Sequence, residues 1–150
     1  MSHFSNMFRS REEVPLNKQL EICDLFPFFP SMEEIRKMHR PITQDVVLSI
    51  LKEMVWGKSL GPNGWAMELF IHFQGIMIIE LTEMVKKSCS LGWVFGAINA
   101  TFITLILKVP HPATFLDYFP ISLCNTIYKL ISKTIAKRLK HFLSKHIYAE

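Results

Sequence analysis

The apolar positions of this chain change period twice. Between residues 43 and 87 they recur at helical spacing, between 101 and 123 they form two short β-rich blocks, and from 126 onward the helical spacing returns. In "TQDVVLSILKEMV", Val46, Val47, Ile50, Leu51, Met54 and Val55 fall on one face of a helix, with Asp45 in its first turn where the helix dipole favours a carboxylate. "GKSLGPNGW" follows. Pro62 and Gly64 occupy the second and fourth places of a type I turn beginning at Gly61, which predicts a connection between two helices. The second helix, about Ala66 to Lys87, is expected to bury Leu69, Phe70, Phe73, Ile76, Met77, Leu81, Met84 and Val85, with a break near Gly75.

"ATFITLILK" is rich in β-branched and aromatic residues and runs into a loop with Pro110 and Pro112, and "YFPISL" reads as a returning strand. Pro120 has no N–H for a ladder, so this strand belongs at an edge or carries a bulge. The expected unit is an antiparallel hairpin, about 101–108 and 117–123, leading into a long helix over about 126–147. On that helix Ile127, Leu130, Ile131, Ile135, Leu139, Phe142, Leu143 and Ile147 form one stripe, and Lys129, Lys133 and Lys137 line up at steps of four. Upstream, Ser31 and Glu34 have capping-box spacing before a short helix that Pro41 closes. Residues 1–40 otherwise read as an N-terminal arm. The fold class is α+β, mostly helical, with one antiparallel hairpin.

At 150 residues the chain suits a single domain, burying roughly 68–70% of the surface its unfolded form exposes. Hydrophobic residues make up 49% and charged residues 20%, well away from the composition of disordered chains. Ser88 to Leu107 is uncharged but diluted by Gly92, Gly96, Asn99, Thr101 and Thr104, which argues against a membrane span. Cys23, Cys89 and Cys124 are widely spaced with no metal-ligand pattern, as in a reduced intracellular compartment, nucleus or cytoplasm.

The net charge of +4 matters less than its distribution. Twelve of thirteen carboxylates lie at or before Asp117, and between Tyr118 and Ala149 there is none. That window carries Lys129, Lys133, Lys137, Arg138, Lys140 and Lys145. Like charges at i, i+4 repel, so a row without interleaved acids fits a surface that tracks phosphates; the alternative is a solvated helix face. Lys108, at a strand end, presents an ammonium to a phosphate or merely marks the end of the strand. The Gly61 to Gly64 loop lacks the Lys-Ser/Thr ending of a phosphate-binding loop and reads as a plain connection. His72 reads as a packed residue, and His141 and His146 extend the basic helix. Asp24, Asp45 and Asp117 are too scattered for a two-metal site, and no nucleophile and base fall into a set. No catalytic residue and no metal ligand is assigned.

At "KSLGPNGW" and "NATFITLILKVPHPATFLDYFPISLCNTIYKLISKTIAKRLKHFLSKHI" the chain resembles the reverse transcriptase of plant LINE-type (non-LTR) retrotransposons, in order and at matching spacing over about residues 41–150. The resemblance implies the fingers region of an RNA-directed DNA polymerase, whose hairpin holds the triphosphate of the incoming nucleotide with cations. Lys108 matches the strand-end lysine, and Pro120, Ile121, Ser122 and Leu123 match the return strand. Leu60, Asn63 and Leu107 replace a Pro, an Asp and a Pro of the family pattern, and Phe119 stands where the family has Arg. Phenylalanine offers neither charge nor donor, and loss of such a contact costs on the order of 10²–10³ in rate. The family's metal-binding aspartates and its Mg belong to the palm, which would lie C-terminal to these residues, so the fragment is expected to have no cofactor and no polymerase activity alone. The expected partner is RNA or DNA backbone, with six cations giving a salt slope of roughly −4 on single strands, and no membrane. The missing palm or a partner surface would cover what it exposes. The alternatives are a small helical protein-interaction module, docking through Leu130, Ile135, Leu139 and Phe142, or a retrotransposon relic with no function.

Overall fold

The computed structural model describes residues 15–18, 21, 30–54, 57 and 59–147. Most of the arm expected before residue 31, together with Val55, Lys58 and Cys23, lies outside them. The elements run α1 (Met32–Met38), α2 (Gln44–Lys52), α3 (Met67–His72), α4 (Gln74–Leu91), α5 (Gly96–Asn99), β1 (Thr101–Leu107), a 3-10 turn (Phe115–Asp117), β2 (Tyr118–Cys124) and α6 (Thr126–Ile147). The architecture is α+β and mostly helical, with one two-stranded antiparallel sheet among the described residues.

Local chemistry accounts for the helix boundaries. Ser31 caps α1 in a capping box: its hydroxyl accepts from the Glu34 N–H, while the Glu34 carboxylate accepts from the Ser31 N–H at 2.8 Å. Thr43 caps α2. The predicted break near Gly75 falls two residues earlier, at Phe73, between α3 and α4. Gly92, with φ of 69°, ends α4 in the left-handed conformation that glycine takes without a Cβ penalty. The helix thereby runs four residues past the predicted Lys87.

The core is where α2, α3, α4 and the first turns of α6 meet: Ile42, Val47, Ile50, Leu51, Met54, Met67, Phe70, Leu81, Val85, Ile127, Leu130 and Ile131. Three expectations about burial do not hold. Val46 faces solvent, because α2 buries only the Val47, Ile50 and Leu51 edge of its apolar face. Phe73 and Ile76 are exposed, because the kink at Phe73 turns that stretch away from the core. The α6 stripe is well buried only in its first turns: past Ile131, α1 lies against the side of the helix that carries Arg138, Phe142 and Lys145, leaving Ile135, Leu139 and Leu143 at 43%, 41% and 40% exposure.

The hairpin is continuous, with Thr101 opposite Cys124 through Leu107 opposite Tyr118 and no bulge. In a two-stranded sheet both strands are edges, which accommodates Pro120 opposite Leu105. Every residue of β1 is exposed. Since opposite residues share a face, Phe102, Ile106, Phe119, Ile121 and Leu123 lie on one side and Ile103, Leu105, Leu107, Pro120 and Tyr118 on the other, so both sides are apolar and uncovered. Among the described residues no helix is long and apolar enough to cross a membrane, and the uncharged run from Ser88 is divided among α4, α5 and β1.

Candidate nucleic-acid interface

The hairpin and α6 are set by one residue that the sequence reading passed over. Asn125, fully buried between β2 and α6, accepts the Asn63 N–H at 3.0 Å through Oδ1 and donates through Nδ2 to the Ala97 and Ile98 carbonyls, each at 3.1 Å. Its own carbonyl accepts the Lys129 N–H, the first bond of the helix. The neighbouring Thr126 hydroxyl donates to the Trp65 carbonyl at 2.8 Å. The Gly61–Gly64 turn closes with the expected bond from the Gly64 N–H to the Gly61 carbonyl, 3.0 Å, and docks on this junction. That loop is thus a connection with a structural task. A detectable signal was present in the sequence, an Asn at the strand-to-helix boundary where caps are favoured.

Lys108 lies at the far end of the hairpin. Its main-chain N–H closes the ladder on the Asp117 carbonyl, and its ammonium donates to the Leu116 carbonyl at 2.7 Å. The same ammonium stands over the Phe119 ring, 4.6 Å from the centroid. The residue at the place of an expected cation therefore holds the neighbouring cation against the hairpin. Asp117 shapes the tip by accepting the Thr114 and Ala113 N–H groups, at 2.8 and 3.0 Å, and these bonds hold its carboxyl below the ordinary range.

The cations of α6 face the body of the protein more than the sequence row implies. Lys129 donates to the Ser59 carbonyl at 3.0 Å and Lys133 to the Glu53 carbonyl at 2.8 Å, satisfying acceptors just beyond α2. Lys137 pairs with the Glu53 carboxylate, which that bond holds below its ordinary pKa. Arg138 donates to the Met38 carbonyl at 3.0 Å and to that of Arg40. Lys145 pairs with Glu34 at 2.8 Å, which raises its pKa. Lys140 is exposed and makes no ion pair among the described residues.

A bond to a neutral carbonyl leaves the charge of its donor in place. Lys129, Arg138 and Lys140 consequently keep their field, whereas Lys137 shares its charge with Glu53 at the end of α2, on which Lys133 also acts, and Lys145 shares its charge with Glu34 of α1. The missing counter-charges come from residues 84 and 111 positions away, which no local pattern could disclose. Among the described residues no three His, Cys, Asp or Glu side chains converge to hold a metal ion. Cys89 and Cys124 are free thiols.

No protein-family model matches the chain. It is 26% identical, over 152 aligned residues and 99% of its length, to the transposon TX1 uncharacterized 149 kDa protein of Xenopus laevis. The chain spans 11% of that relative's length. Similarity along the whole chain, hairpin and α6 included, relates it to a transposon-encoded protein.

Proposed function

We propose that the chain is a fingers-region segment of a LINE-type reverse transcriptase whose contribution is to bind RNA or DNA backbone along α6. One observation carries this reading. A 22-residue helix with no carboxylate of its own holds Lys129, Lys133, Arg138 and Lys140 outside any ion pair among the described residues while its N-terminal half is anchored in the core. A fixed row of this kind lowers the reorganisation needed to meet a regularly spaced polyanion. The relationship to a transposon-encoded protein supports a retrotransposon origin for the chain. At the hairpin, Lys108 remains the proposed nucleotide-facing cation, weakened because Phe119 and the Leu116 carbonyl already occupy it.

Fluorescence anisotropy with a labelled single-stranded oligonucleotide tests this. Lys140→Glu, at an exposed position, should weaken binding several-fold with an unchanged circular dichroism spectrum. Equal affinity of the two proteins would remove α6 from the interface.

A second reading is favoured by the exposure of Ile135, Leu139 and Leu143, an apolar row on the distal half of α6. In it the helix docks on a protein partner. Leu139→Asp would then abolish binding that Lys140→Glu leaves intact.

A further inference from the structure

Basic groups distant in sequence converge on one cleft. Between the C-terminal end of α1 and the middle of α6 lies a cleft of about 270 Å³, walled by Lys37 and Arg40 on one side and by Lys137, Arg138 and His141 on the other. Its one acidic wall residue is Glu34, whose carboxylate is already engaged by the Ser31 cap and by Lys145. Lys37 is paired with Glu33 at 2.8 Å and Lys137 with Glu53. Counting Lys37, Arg40, Lys137, Arg138 and Lys145 against Glu33, Glu34 and Glu53 leaves an excess of two positive charges before His141 is considered.

The excess resides on the two arginines. Arg138 is half-buried and fixed by the carbonyls of Met38 and Arg40, which consume two of the five guanidinium donors and leave the rest available. Arg40 is exposed beside it and makes no ion pair among the described residues. The Arg138 guanidinium is bonded to the Arg40 main-chain carbonyl and both arginines line the cleft, and the planar fork of arginine suits phosphate oxygens. We propose that this cleft seats a phosphate group of a bound nucleic-acid strand, with Arg40 and Arg138 as its principal donors and Lys137 and His141 along its edge. The proposal rests on the nucleic-acid reading above and extends it from α6 to the α1–α2 connection, which has no part in the sequence-derived row.

Two probes separate the proposal from the reading it rests on. The first is inorganic phosphate, titrated while amide resonances are followed by NMR; saturable shifts at Arg40, Arg138 and His141 are expected, and their loss in Arg40→Gln. The second is the labelled oligonucleotide. Arg40→Gln should weaken it about fivefold and lower the magnitude of its salt slope by about 0.7, Arg40→Lys should recover part of the loss, and thermal melting should be unchanged. If the oligonucleotide binds and Lys140→Glu weakens it while Arg40→Gln does not, the cleft is idle and the proposal is overturned while the broader reading stands. If phosphate saturates the cleft but no oligonucleotide binds, the cleft serves a free phosphate and the assignment to a nucleic-acid strand is wrong. Absence of both responses overturns both.

Discussion

A methyl group at position 61 would collide with the main-chain nitrogen of Asn125 and sit 2.6 Å from its Cα. Both neighbours are main-chain atoms at a buried junction, so they cannot swing aside, and Gly61 is the residue that lets the turn meet α6. Gly61→Ala should therefore lower the unfolding free energy by about 1–3 kcal/mol in a urea titration. Asp117 permits a second prediction. Its carboxyl is held below the ordinary value of 3.8 by the N–H groups of Thr114 and Ala113, so its contribution to the hairpin tip is present above that value and lost as pH falls through the lower one. Amide shifts of Thr114 and Ala113 followed through acid titration should report that transition. Asp117→Asn should flatten the response, because the amide does not titrate in this range.

At the scale of elements, α6 has two characters. Its first turns carry Ile127, Leu130 and Ile131 into the core, while Ile135, Leu139 and Leu143 remain exposed. Leu130→Ala should cost about 2–5 kcal/mol, whereas Leu139→Ala should fall within about 0.5 kcal/mol of the parent, since only the first opens a cavity. The hairpin is the contrary case. An isolated two-stranded sheet is marginal in water, and this one exposes apolar side chains on both faces. Amides of β1 and β2 should exchange much faster than those around Ile50, Val85 and Leu130, as read by hydrogen exchange. The periodicity of the sequence disclosed both elements: helix 126–147 and strands near 101–108 and 117–123 match what is observed. Such local elements are legible because apolar spacing, turn residues and caps act over a few positions. What covers an element is not local. The same regular spacing that marks Leu130 marks Leu139, and only the reach of α2 and α4 distinguishes them.

At the scale of the whole molecule, that difference extends to the candidate interface. The lysine row was visible as a row, but the capture of Lys137 by Glu53 and of Lys145 by Glu34 arises only when α1 and α2 close on α6. Arg40 was equally hidden, as it approaches Arg138 only through that packing. The chain spans 11% of the length of its transposon-encoded relative, and its hairpin and distal helix present apolar surface. What α6 does with its charge is the central claim, and counterion release measures it. With Lys129, Lys133, Arg138 and Lys140 engaged at ~0.7 per phosphate, the logarithm of the oligonucleotide binding constant should fall against the logarithm of salt concentration with a slope of roughly −3. A slope near zero, with binding retained at high salt, would contradict it.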